Sequence, residues 1–193
     1  MIKIDSDWSL FLDRDGVINE KRNNDYVKTW DEFKFIPRSI EAIASFSTFF
    51  SFIAIVTNQR GVGLGLMTED KLKEVHLNML KEIQKSGGKI DEIFYCTDIN
   101  DDSNNRKPKI GMALQAKIKF PSIDFAKSIM VGDQLSDMEF GRKVGMINVY
   151  IGLSINKIDL PSCLIDYQFK NLFDFSLALP NLNTASSLMH LEH

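Results

Sequence analysis

Short apolar runs alternate with helix-patterned stretches, and that alternation limits what this chain can fold into more than any other feature. The runs are Ser9-Leu10-Phe11-Leu12, Phe52-Ile53-Ala54-Ile55-Val56, Ile93-Phe94-Tyr95-Cys96, Ser128-Ile129-Met130-Val131 and Ile147-Asn148-Val149-Tyr150-Ile151, each breaking off into Asp, Thr or Gly. Short runs that are apolar at nearly every position fit strands covered on both faces, as in a parallel sheet. Helices are predicted between them over Arg38 to Ser47, Thr68 to Lys85, Ile110 to Phe120 and Ser136 to Val144. Thr68 offers an N-cap, and Leu72, Val75, Met79 and Ile83 mark one apolar face by their spacing. Tyr167-Gln168-Phe169 followed by Leu172 to Leu179 adds an edge strand and a closing helix.

The pattern predicts an α/β fold: a Rossmann-like, doubly wound sheet of mainly parallel strands with helices on both faces. A chain of 193 residues suits one domain, assigned to residues 1–180, with 181–193 as a loosely held tail. Leu191-Glu192-His193 reads as a tag remnant. The formal charge of −3, from 23 basic and 26 acidic residues, carries no basic surplus, so neither duplex nucleic acid nor an anionic membrane is the expected partner. Ala42 to Gln59 is uncharged but interrupted by Ser45, Ser47, Thr48, Ser51, Thr57 and Asn58, which argues against a membrane span. The first residues show no secretory pattern, and Cys96 and Cys163 are far apart, so a reducing, cytoplasmic setting and a monomer are the expectations.

Polar clusters follow the predicted strands: Asp13-Arg14-Asp15-Gly16, Thr57-Asn58-Gln59, Arg106-Lys107-Pro108, and Gly132-Asp133 with Asp137 beyond it. One Asp-x-Asp turn alone is unremarkable, since two solvated acids in a turn are common. Together, at the carboxyl ends of parallel strands, the clusters fall where doubly wound sheets bind ligands. If Asp13, Asp15 and Asp133 converge, two carboxylates ~5 Å apart repel by about 3 kcal/mol at an effective dielectric near 20. A hard divalent ion relieves that, and oxygen ligands without His or Cys favour Mg²⁺ shared with substrate phosphate oxygens. Thr57 and Asn58 can donate to transferring oxygens, Lys107 supplies positive charge, and a carboxylate nucleophile splits a very slow hydrolysis into two steps.

These clusters resemble the motifs of the haloacid dehalogenase superfamily of phosphatases. The resemblance implies Asp13 as nucleophile, Asp15 as general acid then base with its backbone carbonyl on the metal, Thr57 and Lys107 on the phosphoryl group, Asp133 on Mg²⁺ and Asp137 orienting the metal shell. A closer likeness runs from about Leu10 to Ile151. Phe11-Leu12-Asp13-Arg14-Asp15-Gly16-Val17-Ile18-Asn19, Tyr26-Val27, Phe35-Ile36-Pro37, Thr57-Asn58-Gln59 and Arg106-Lys107-Pro108-Lys109 resemble the heptose-bisphosphate and histidinol-phosphate phosphatases. It implies no large cap domain, a site covered by the loop Asn19 to Lys34, and a small phosphorylated metabolite, most simply a sugar bisphosphate. Asn19, Tyr26, Asn58, Gln59, Arg60 and Arg106 are the substrate-binding candidates. Relatives commonly hold zinc before Arg-Lys-Pro; Cys96, Asp98, Ser103 and Asn105 stand there instead, so no zinc is expected. Gln134 stands where relatives often carry a cation, which makes Arg60 a candidate for the displaced charge.

Weaker signals have plainer readings. Gly61, Gly63 and Gly65 read as a flexible turn, because they lack the spacing and position of a dinucleotide fingerprint. His76 reads as a packing or surface residue on its helix. Histidinol-phosphate hydrolysis, a receiver-type signalling module and a polynucleotide 3′-phosphatase remain as alternatives. The receiver places its acceptor Asp on the middle strand, where this chain has Thr57-Asn58, and the nucleic-acid reading meets the absent basic surplus.

Overall fold

A computed structural model describes residues 4, 7–23, 25–152 and 162–182. Six strands form one parallel sheet: β1 Ser9–Leu12, β2 Phe52–Asn58, β3 Glu92–Cys96, β4 Ser128–Gly132, β5 Ile147–Ile151 and β6 Tyr167–Phe169, in the order β3-β2-β1-β4-β5-β6. The helices are α1 Ser39–Phe46, α2 Arg60–Gly63, α3 Glu69–Lys85, α4 Gly111–Lys119, α5 Leu135–Val144 and α6 Leu172–Ala178. The predicted alternation is the observed one, and Thr68 caps α3 by accepting from the Lys71 amide at 3.2 Å.

Side-chain alternation along the strands sorts the core into two layers. Leu10, Leu12, Ile53 and Ile55 face Ile43 and Phe46 of α1, Val75, Met79 and Ile83 of α3, and Phe175 of α6. Phe11, Ala54, Val56 and Met130 face Met112, Ala113 and Ala116 of α4 and Phe140 of α5. Both faces of the sheet are therefore covered, which is why the strands read as nearly continuous apolar runs. Leu182, assigned to the tail, is buried in the first layer; residues 183–193 lie outside the described residues.

Register places the chemistry. β1 pairs with β2 on one side, Leu12 opposite Ile55, and with β4 on the other, Leu12 opposite Val131. Asp13, one residue beyond Leu12, and Thr57 and Asp133, two residues beyond Ile55 and Val131, consequently emerge together at the carboxyl end. The crossovers diverge between β1 and β4, so this is also the switch point where doubly wound sheets open a crevice. Between β1 and β2 the described chain is a loop with one short 3-10 turn, Trp30–Glu32, and α1, with no separate cap.

Candidate active site

The Asp13 amide donates to Val131 O at 2.9 Å, fixing the end of β1 against β4. Beyond it the chain curls over Arg14, whose carbonyl accepts from the amides of Val17, Ile18 and Asn19. Gly16 makes this curl possible: its φ is +95°, and a Cβ there would stand 2.3 Å from Asp133 Oδ2. Asn58 holds the second segment, since its Oδ1 accepts from Lys107 N at 3.0 Å and its Nδ2 donates to Lys107 O at 3.1 Å. Lys107 is thereby delivered under the site, where its Nζ lies 2.7 Å from Asp13 Oδ1, 2.6 Å from Asp137 Oδ1 and 2.6 Å from Val56 O.

Carboxylate oxygens of Asp13, Asp133 and Asp137 lie within 4.8 Å of one another. Burial is the main cause that pushes Asp13 up to about 7; Lys107 opposes it, and Asp137, Asp133 and Asp15 add to it. Burial also raises Asp133, with Asp137 reinforcing it and Lys21 and Gln134 resisting. Lys107 goes the other way: despite burial, Asp13 and Asp137 hold its ammonium charged above the ordinary lysine range. Lys107 and Lys21, the latter 3.3 Å from Asp133 Oδ2, set two cations against three acids, and among the described residues Asp133 Oδ1 is buried with no partner. An all-oxygen donor set with an orphaned carboxylate oxygen fits a hard divalent cation.

Asp15 has a different environment. Its Oδ1 accepts from Arg14 Nη2 and Asn19 Nδ2, both at 2.9 Å, and its Oδ2 from Gln59 Nε2 at 2.8 Å. Burial works to raise its pKa, but the charge and hydrogen bond of Arg14, with the Asn19 and Gln59 bonds, outweigh that and hold it below the usual range. Two neighbouring aspartates thus have opposed pKa shifts, burial raising Asp13 and the donors around Asp15 lowering it.

A cavity of about 240 Å³ opens above the carboxylates, walled by Tyr26, Arg106, Lys21 and Arg22 among others. The structure redistributes the substrate-binding candidates. Asn19 is fully buried and Gln59 is 1% exposed, and both direct their amides at Asp15 rather than into the cavity. Asn58 lines the cavity, yet its amide is taken up by Lys107. Arg60 is not part of the wall: it donates to Ile99 O and lies 3.7 Å from Asp101, so the displaced charge is not found there. Arg106 and Tyr26 do face the cavity; Arg106 Nε donates to Asp101 at 3.0 Å, while its buried Nη1 has no partner among the described residues. Sequence reasoning missed Lys21 and Arg22, although an adjacent basic pair in the covering loop was a usable signal. Thr57, 1% exposed, accepts from Gln59 Nε2 through Oγ1 at 2.8 Å and lines the same cavity.

In the loop beyond β3, Cys96 Sγ lies 3.6 Å from Asp98 Oδ2 and 3.8 Å from Ser103 Oγ, and Ser103 donates to Asp98. Burial, the largest influence on the thiol, pushes it above its ordinary pKa. Polar side chains tie this loop together.

The family model described as polynucleotide kinase 3 phosphatase matches residues 8–171. The D-glycero-alpha-D-manno-heptose-1,7-bisphosphate 7-phosphatase of Mycobacterium bovis is 33% identical over 178 residues, spanning 89% of this chain and 91% of its own. The D-glycero-beta-D-manno-heptose-1,7-bisphosphate 7-phosphatase of Pseudomonas aeruginosa is 40% identical over 136 residues, 70% of this chain and 75% of its own. The crystal structure of D,D-heptose 1,7-bisphosphate phosphatase from B. bronchiseptica, complexed with magnesium and phosphate, superposes with a TM-score of 0.81 at 27% identity over 91% of this chain and 99% of that one. On sequence, fold and site together, the chain belongs to the haloacid dehalogenase-like heptose-bisphosphate phosphatase family, a family of phosphoric monoester hydrolases.

Proposed function

We propose that this protein is a Mg²⁺-dependent phosphatase that removes one phosphate from a sugar bisphosphate, a heptose bisphosphate by its relatives, through an aspartyl-phosphate on Asp13. The observation that carries it is Asp13 itself, 2.7 Å from Lys107, joined to the acidic cluster and open to a cavity whose wall holds an arginine nitrogen unpartnered among the described residues. An oxygen of Asp13 attacks phosphorus; the O–P bond forms as the ester P–O bond breaks, and the departing sugar oxygen takes a proton from Asp15. Asp15, now a carboxylate, accepts a proton from water as that water's oxygen attacks phosphorus, releasing inorganic phosphate and restoring Asp13. Lys107 and Thr57 stabilise the transferring oxygens. Asp13, Asp133 and the Asp15 carbonyl would hold the ion, with Asp137 orienting its shell, and bound Mg²⁺ supplies positive charge against the phosphoryl oxygens.

The donors around Asp15 favour its charged form, which suits the second half-reaction directly. Asp15→Asn should still accept phosphate from an activated aryl phosphate but release it slowly, seen as a burst followed by a lowered steady rate. A steady rate equal to the parent's excludes Asp15 as the base.

Arg106, with its Nη1 unpartnered among the described residues, is the proposed reader of the distal phosphate of a bisphosphate, whereas Arg22 pairs with Glu32 at 3.0 Å. A charged hydrogen bond is worth about 1.5–3 kcal/mol, so Arg106→Ala should raise KM for the bisphosphate at least about tenfold with less effect on kcat. Arg60, held in an exposed pairing, should change KM by less than about fivefold when replaced by Ala. The reverse ranking contradicts this assignment of the wall.

Zinc should be absent from the purified protein by elemental analysis, because Asp98, Ser103 and Asn105 provide none of the soft ligands of a closed site; one zinc per chain refutes that. A monomer in the cytoplasm completes the reading, checked by sedimentation and by fractionation; among the described residues no helix is long and apolar enough to cross a membrane. Phosphate release should be fastest on heptose bisphosphate in a screen that includes histidinol phosphate and a 3′-phosphorylated oligonucleotide. Preference for the oligonucleotide overturns the sugar assignment in favour of the activity that names the family model.

A further inference from the structure

His76 lies outside the cavity and takes no part in the steps above, yet it is buried and tied to the active-site loop. It projects from α3, is 5% exposed, and meets the Tyr95 ring edge-on at a centroid distance of 5.6 Å. Its Nε2 is 3.1 Å from Arg14 Nη1. A guanidinium offers only donors, so Nε2 accepts and the proton of the neutral imidazole sits on Nδ1. Burial, reinforced by the Arg14 charge, pushes His76 down to about 3, which keeps that lone pair available.

Arg14 is fully buried, and its Nε has no partner among the described residues. Its Nη2 donates to Asp15 Oδ1 at 2.9 Å. The terminal nitrogens of one rigid, planar group therefore connect His76, 62 residues from Arg14 in sequence, to Asp15. We propose that His76 is a positioning residue for the phosphatase reaction: by accepting from Arg14 Nη1 it fixes the guanidinium plane and, through Nη2, the carboxylate of Asp15. The inference rests on the reading of Asp15 as the proton-transfer group.

Without an acceptor at His76 the guanidinium can turn about its own axis, and Asp15 loses a fixed donor while Asn19 and Gln59 remain. Misplacement of a reacting group by about 1 Å costs up to about 10²-fold in rate. The effect should fall on turnover rather than binding, because neither His76 nor Arg14 lines the cavity.

The test compares His76→Gln, His76→Asn and His76→Leu in the whole protein with Mg²⁺, using heptose bisphosphate and p-nitrophenyl phosphate. Leu and Asn, which cannot reach Arg14 with an acceptor, should lower kcat at least about tenfold with KM nearly unchanged, and phosphoprotein should accumulate under acid quench. Gln reaches with Oε1 and should restore most of kcat. A folded Leu or Asn variant with the parental kcat, a loss confined to KM, or Gln as impaired as Asn overturns the proposal. Nitrogen NMR of the parent is independent of any variant's folding: it should show the Nδ1–H tautomer for His76, and an Nε2–H tautomer overturns the proposal too. A parent that neither releases phosphate nor becomes phosphorylated refutes the phosphatase reading instead, a failure distinct from the wrong tautomer.

Discussion

Asp13→Asn is expected to leave a folded protein with no measurable turnover, a loss of at least about 10⁴-fold of the kind seen when a nucleophile is removed. The amide matches the carboxylate in size but cannot attack phosphorus. The same change should not cost stability in metal-free buffer near neutral pH. Folding raises Asp13 from 3.8 to about 7, so its charged form is penalised in the native state. A raised carboxylate contributes stability below its unfolded pKa and loses that contribution as pH rises through its folded pKa. A neutral Asn escapes the loss, and Lys107 keeps Asp137 as a partner at 2.6 Å. The melting temperature without Mg²⁺ should therefore equal or exceed the parent's at pH 8, and near-normal turnover would remove Asp13 from the mechanism.

Lys107→Met should instead damage both activity and fold. Methionine keeps the length and apolar stem, but Asp13 and Asp137 are left without the ammonium that lies 2.7 and 2.6 Å from them. Removing one partner from a buried ion pair typically costs about 3–5 kcal/mol. For a chain of this size each kcal/mol shifts the melting temperature by roughly 2–4 °C, so a drop on the order of 6–20 °C is expected at neutral pH. The deficit should shrink toward pH 5, where the abandoned Asp13 carboxylate is protonated, and shrink on adding Mg²⁺. A variant that melts with the parent at pH 8 would show that Lys107 is not the internal counter-charge.

The sequence made the scaffold legible because the sheet is covered on both faces. β1, β5 and β6 span the residues anticipated for them, since an apolar run ends where the sheet ends and the polar crevice begins. α2 was not legible: three glycines in Gly61 to Gly65 read as a turn, glycine being a poor helix former. Close packing explains the glycines in it, because a Cβ on Gly63 would stand 2.2 Å from Thr97 O and one on Gly61 3.0 Å from the Tyr26 ring.

Residues that matter near the site were found more readily than their partners. Asn19, Asn58 and Gln59 follow β1 and β2 as a binding site requires, but spacing says nothing about where an amide points, and all of them support Asp15 or Lys107. Arg60 looked available as a free charge until the fold placed Ile99 and Asp101 beside it. Arg14 and His76 could not be paired from sequence, because nothing in a solvated-looking Asp-Arg-Asp indicates that its arginine is wholly buried.

The account turns on a covalent phosphoryl group at Asp13, and acid-quenched turnover tests that most directly. Enzyme mixed with ³²P-labelled heptose bisphosphate and Mg²⁺ should yield acid-stable, hydroxylamine-labile label on the peptide containing Asp13. With a ³²P-labelled aryl phosphate, whose leaving group needs no acid, the label should be enriched in Asp15→Asn; with either substrate it should be absent in Asp13→Asn or after chelation. Phosphate release with no such label in the parent or in Asp15→Asn, or label on another peptide, would contradict it.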